Sequence, residues 1–123
     1  MTTQFNWLLY LALGDHLLRQ SGEEYYRSAV SRAYYGVFCH IRDILQQRGT
    51  SFAIAADVHR QVITALKSDS RPEVAQLGED LDGLRHQRNL ADYRTNAQFS
   101  LRWARRYHRR ARSIRNRIAN LLP

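Results

Sequence analysis

Ala29-Val30-Ser31-Arg32-Ala33-Tyr34-Tyr35-Gly36-Val37-Phe38 decides how this chain folds. With its flanks it places Tyr26, Ala29, Val30, Ala33, Tyr34, Val37, Phe38, Ile41, Ile44 and Leu45 at the i, i+3, i+4, i+7 spacing of one buried helix face. The run predicts a helix that starts after the break at Gly22 and stops near Gly49, a residue suited to a left-handed C-terminal cap. Ser21 and Glu24 have capping-box spacing at its start. At 1.5 Å per residue such a helix is roughly 35–40 Å long, the length of a bundle member.

Outward from it, the same periodicity recurs. A first helix is expected from about Thr3 to Gln20, with Trp7, Leu8, Leu11 and Leu18 available for burial. Residues 49–56 read as a loop whose Phe52 and Ile54 tuck inward. Asp57 can cap a short third helix carrying Val58, Val62, Ile63 and Leu66 on one side. Ser70 and Glu73 repeat the capping-box spacing around Pro72, which is tolerated in a first turn. The fourth helix then runs to about Tyr93, and Arg94-Thr95-Asn96 reads as a tight connection. A fifth helix is expected from Ala97 to Leu121, with Leu101, Ala104, Tyr107, Ala111, Ile114, Ile118 and Leu121 facing inward. No strand-like alternation, repeat or low-complexity linker interrupts the pattern. The fold class expected is all-α: one domain over residues 1–123, an antiparallel four-helix-type bundle with an additional short helix.

Charge is unevenly distributed. The formal net charge is +8, and Lys67 is the only lysine among 19 basic residues. From Arg94 onward there are 9 Arg and no acid, whereas residues 1–93 hold 10 basic and 11 acidic side chains. The excess positive charge therefore belongs to the last quarter, which points to a polyanion or an acidic protein as partner. The lone Cys39 excludes an intrachain disulfide. No apolar run is long enough for a bilayer and no signal-peptide pattern opens the chain, so a cytoplasmic location without membrane partners is expected.

On the fourth helix, Val74, Leu77, Leu81 and Leu84 form an apolar stripe whose next positions are Arg88 and Ala91. A guanidinium stands where packing calls for leucine, and an uncompensated charge there is costly. Asp92 lies one turn further on, flanked by Asn89 and Tyr93. Two readings fit: an ion pair that satisfies itself at a helix end, or a site at the edge of the bundle. In either, Arg88 and Asp92 are expected to pair with each other or through Arg32 of the second helix.

Several chemistries lack their residues. His16, His40, His59, His86 and His108 are scattered without metal-ligand spacing, so neither a metal site nor a cofactor is expected. The six Gly are dispersed, which leaves no phosphate-cradling loop. Cys39 beside Phe38 reads as a packed thiol. On the fifth helix, Arg102, Arg105, Arg106, Arg109 and Arg112 are the candidate nucleic-acid-binding residues. No acid on that helix neutralises them, and Trp103 and Tyr107 lie among them as candidate stacking platforms for bases. Tyr107 also lies on the inner stripe and can be a core residue instead.

Three segments in order resemble the small prokaryotic HEPN domains. Ala29 to Phe38 is similar to their Ala-Tyr-Tyr helix. Asp57-Val58-His59-Arg60-Gln61-Val62 takes the place of their short His-containing helix. Arg88-Asn89-Leu90-Ala91-Asp92-Tyr93 resembles a segment found late in a subset of them. The resemblance implies a helical bundle that forms a homodimer, a role in RNA metabolism or a toxin–antitoxin or defence pair, and a nucleotidyltransferase-type protein as partner. It also implies a metal-independent ribonuclease motif of Arg, a polar residue, and a His separated from the Arg by four to six intervening residues. Arg88 and Asn89 match the first two. Tyr93, Arg94 and Thr95 stand where the His belongs. His86 is two residues before Arg88, roughly 160° around the helix. The candidate catalytic residues are therefore Arg88, Asn89, Asp92, Tyr93 and Arg32. RNA binding without efficient cleavage is expected, because no group titrating near neutrality occupies the motif. The alternative is a catalytically silent module whose Arg-rich last helix docks an acidic protein.

Overall fold

The computed structural model describes residues 4–54 and 56–123. It contains α1 (Leu9–Leu18), α2 (Glu23–Gln47), α3 (Val58–Lys67), α4 (Pro72–Tyr93) and α5 (Leu101–Leu121), with no strand among the described residues. Side-chain contacts between opposite ends fix the directions. Trp7, just before α1, donates its Nε1–H to Asp43 near the end of α2, at 2.9 Å. Arg27, early in α2, reaches Leu90 and Ala91 at the end of α4. Trp103, early in α5, donates to Gln87 late in α4. The three helix pairs α1/α2, α2/α4 and α4/α5 are therefore antiparallel.

The helix with the cleanest periodicity is the central one. α2 packs against α1, α4 and α5, and it also touches α3. α3 rests mainly on α4 and meets neither α1 nor α5 among the described residues. Ala33, Tyr34, Val37, Phe38 and Ile41 of α2 are at most 2 % exposed, interleaved with Leu77, Leu81 and Leu84 of α4 and Ile114 and Ile118 of α5. Each Val, Leu, Ile or Phe among them contributes about 1.5–3 kcal/mol when fully buried, so this stripe is what holds the bundle together.

Helix ends depart from the sequence expectations. α1 is shorter than Thr3–Gln20, and Thr3 itself lies outside the described residues. The Ser21/Glu24 box does not form: Gly22 is the N-cap, at φ 143°, with no side-chain cap. Ser70/Glu73 does not form either, because Arg71 takes the N-cap and Pro72 begins the helix. In both places the residue next to the helix supplies the required backbone turn, and the serine is left one position too far out. α5 begins at Leu101 rather than Ala97, capped by Ser100, whose Oγ accepts from the Trp103 N–H at 3.1 Å. The α4–α5 connection is correspondingly longer than three residues. Ile54 does not tuck inward but is fully exposed, whereas Phe52 packs against the core.

The predicted stops and caps at two other places form as the local chemistry dictates. Asp57 caps α3 through the Arg60 N–H at 3.2 Å. Gly49, at φ 95°, follows the last turn of α2. Its N–H bonds to the Gln46 carbonyl and the Thr50 N–H to the Leu45 carbonyl, the paired bonds of a Schellman motif. Among the described residues no helix is long and apolar enough to cross a membrane.

Candidate functional site

The Arg88 stripe position is buried. Arg88 is 6 % exposed, and Val74, Leu77, Leu81 and Leu84 above it are at most 1 % exposed. Its guanidinium lies 5.3 Å from the ring centroid of Tyr34 and 5.0 Å from that of Tyr35, both on α2. These aromatic faces hold the charge by cation–π attraction in place of water. Asp92 is its acidic partner, with Oδ2 3.6 Å from Nη1. Arg88 Nε is buried and has no hydrogen-bond partner. The arginine is neutralised but not saturated.

His59 meets Tyr34 at its hydroxyl. The Tyr34 hydroxyl lies 2.7 Å from His59 Nδ1. The imidazole stacks on Phe38 with centroids 4.2 Å apart. Burial, reinforced by the charges of Arg85 and Arg88, holds His59 below its ordinary value of 6.5. It is therefore neutral at pH 7. Burial likewise pushes the Tyr34 phenol up, opposed by the same two arginines, so the phenol stays protonated. The two neutral groups share one hydrogen bond with two tautomeric forms. If the phenol donates to Nδ1, Nε2 carries the proton; if Nδ1–H donates to the phenol, Nε2 presents a lone pair.

Arg85 completes the cluster, one turn before Arg88. Its Nη2 donates to Asp57 Oδ2 at 2.7 Å, and this bond holds the Asp57 carboxyl below its usual range. Arg85 Nε, like that of Arg88, is buried without a partner. Asp57 thus caps α3 with one oxygen and ties it to α4 with the other, which fixes where His59 stands. The carbonyls at the end of α4 are held as well. Arg27 donates to Leu90, Ala91, Arg94 and Ala97 oxygens at 2.6–3.4 Å, satisfying groups that a helix end leaves open.

The sequence candidates separate accordingly. Arg88 and Asp92 meet directly, and Asp92 also accepts from the Ser31 hydroxyl at 3.3 Å. Arg32 does not mediate that pair. It is exposed and lies over the Tyr10 ring at 5.1 Å, although it lines a cavity with Ser31 and Asp92. Asn89 and Tyr93 are exposed, Tyr93 at 73 %. His86 is exposed too and cannot reach the buried side of α4. The residues missed as site members are Tyr34, His59 and Arg85. The available signal was His59 near the start of the short amphipathic α3, but nothing local aims it at Arg88.

On α5, Arg102, Arg105, Arg106, Arg109 and Arg110 are exposed and have no acidic partner among the described residues. Arg112 lies 3.9 Å from Asp15, and Arg117 pairs with Asp80 at 2.7 Å. Trp103 is not a free stacking platform, since Phe99 stacks on it at 3.8 Å and Gln87 takes its N–H. Tyr107 is half-buried. The deep position of α5 belongs instead to His108, 1 % exposed, whose Nε2 bonds to the Leu11 carbonyl at 2.9 Å. No group of three or more His, Cys, Asp or Glu among the described residues is placed to hold a metal ion.

The family model of the HEPN domain matches residues 15–121. That range is nearly the whole chain, and the chain belongs to this family. No curated protein and no solved structure matches it.

Proposed function

We propose that this HEPN chain acts on RNA, with Arg88 and His59 engaging one phosphodiester, the buried Tyr34 orienting the histidine, and Arg102, Arg105, Arg109 and Arg112 of α5 holding the strand. The observation that carries the reading is the buried Arg88 guanidinium, short of hydrogen-bond partners, on the same phenol as a histidine kept neutral. Chemically, such a pair suffices for cleavage without a metal. Nε2 of His59 takes the proton of the ribose 2′-hydroxyl, the 2′-oxygen forms a bond to phosphorus, and the bond to the 5′-oxygen breaks as that oxygen takes a proton from water. The products are a 2′,3′-cyclic phosphate and a 5′-hydroxyl. Arg88 offsets the charge that gathers on the phosphoryl oxygens during the step. The histidine required by this chemistry comes from α3 rather than from the motif on α4, so the reading goes beyond binding alone.

The same reading includes a homodimer in which two copies of the cluster face one substrate, and a nucleotidyltransferase-type protein as the partner of a toxin–antitoxin or defence pair. A second reading rests on the unneutralised arginines of α5: a catalytically silent module that docks an acidic protein. RNA incubated in EDTA with wild type, Arg88→Ala and His59→Ala separates the two. Cyclic-phosphate ends that form with wild type and vanish with either variant support the first. An intact RNA that also fails to bind wild type leaves the second.

A further inference from the structure

α1 and α5 enclose a polar groove that shares no lining residue with the Arg88 cluster. Arg19, just after α1, and Arg105, Arg109 and Arg112 of α5 border it, with one carboxylate, Asp15, and with His108 beside it. Asp15 pairs with Arg112, its Oδ1 3.9 Å from Nη1, beside the His108 ring. Arg105 and Arg109 have no acidic partner among the described residues. Arg19 donates to His16 Nδ1 at 3.2 Å and is likewise without a carboxylate there. Four guanidinium groups thus converge on a concavity with one acid. Left empty, they repel one another across a short distance.

We infer that this groove is a phosphate-binding site in its own right, taking the backbone of single-stranded RNA between α1 and α5 through residues that do not belong to the Arg88 cluster. Two features favour phosphate over carboxylate. The donors arrive from two helices and from several directions, which suits a tetrahedral group with oxygens on all sides; a planar carboxylate is matched by a single Arg fork. The row also continues. Arg102, Arg105 and Arg109 border an adjoining depression with Ser100, and successive arginines along α5 rise by about 4.5–6 Å at 1.5 Å per residue. A ligand with repeated phosphates is held at each step of that row. Arg106 and Arg110 belong to another side of α5, turned toward Tyr107.

The inference rests on the RNA reading for the identity of the strand, but not on cleavage. The test measures binding of oligouridylate and of inorganic tripolyphosphate to wild type, Arg105→Gln/Arg109→Gln and Arg106→Gln/Arg110→Gln, each across a salt series. The two double variants remove equal charge from different sides of one helix. Arg105→Gln/Arg109→Gln is expected to weaken oligouridylate at least tenfold and to flatten the log–log salt slope by about 1.4, two single-strand phosphates. Arg106→Gln/Arg110→Gln is expected to change affinity less than twofold. Equal weakening by both pairs would overturn the groove and leave only general charge. RNA binding that ignores Arg105 and Arg109 would overturn the groove while the RNA reading stands. Tripolyphosphate bound without any RNA bound would overturn the strand as ligand, and the RNA reading with it.

Discussion

The Tyr34 hydroxyl lies 2.7 Å from His59 Nδ1, and the same tyrosine ring carries the Arg88 guanidinium on its face at 5.3 Å. One side chain of α2 therefore joins a histidine of α3 to an arginine of α4. The phenol orients the imidazole, and the ring supports the charge.

That arrangement makes stability depend on pH in a definite direction. His59 ionises below its ordinary 6.5 in the folded chain, first because it is buried and then because Arg85 and Arg88 repel its proton. Below pH 6.5 the unfolded chain binds more protons than the folded one. The contribution of neutral His59 is complete above 6.5 and is lost as the pH falls from there through the depressed folded value. Urea midpoints measured from pH 8 to pH 5 should decline on the acid side, and His59→Gln should make that limb shallower. His40 is depressed by burial as well and retains its own share. An acid limb unchanged by His59→Gln would mean that the ring is solvated.

Asp92 is the acidic partner of an arginine whose side chain is only 7 % exposed, while its own is 27 % exposed. Asp92→Ala strands the guanidinium against Tyr34 and Tyr35 and should cost about 3 kcal/mol, the lower end for a buried pair because the carboxylate is partly hydrated. Chemical denaturation reads the loss directly. A variant as stable as wild type would show that the aromatic faces suffice for the charge.

Two glycines give opposite signs. A Cβ on Gly14 would stand 2.8 Å from His108 Cδ2 and 2.9 Å from Nε2, displacing the ring from the Leu11 carbonyl. Gly14→Ala should destabilise by about 1–3 kcal/mol. A Cβ on Gly83 of α4 meets nothing within 4 Å. Gly83→Ala should stabilise by about 0.4–1 kcal/mol, by lowering the entropy of the unfolded chain. Thermal melts of the two single variants should move in opposite directions; parallel shifts would contradict the packing around His108.

Assembly is testable at ordinary concentration. Light scattering at some tens of micromolar, the range at which a specific interface of about −8 kcal/mol is well populated, should give twice the 14.4 kDa chain mass. A monomer at that concentration would remove the shared two-copy site while leaving the single-chain cluster in place.

Much of the bundle was legible in the residues. The α2 stripe and its stop at Gly49, the α3 cap at Asp57 and the buried place of Arg88 on α4 all follow from spacing along one helix. The two serine capping boxes failed for a local reason: Gly22 and Pro72 each set the helix start, so Ser21 and Ser70 were left outside it. Ile54 failed because an apolar residue in a loop buries itself only if the loop lies against the core, and spacing does not report that.

By itself the sequence determined the helices, the faces they bury, the guanidinium on a core stripe and the acid-free arginine face, because each is a repeat within a few residues of the same element. Only the tertiary structure decided which faces meet. His59 and Tyr34 are 25 residues apart, His108 and Leu11 97 apart, and Arg27 reaches 63 to 70 residues along to the carbonyls around the end of α4. Those pairings depend on how each helix is rotated and crossed against its neighbours. Rotation and crossing are set by the packing of the whole core, and no local period encodes them.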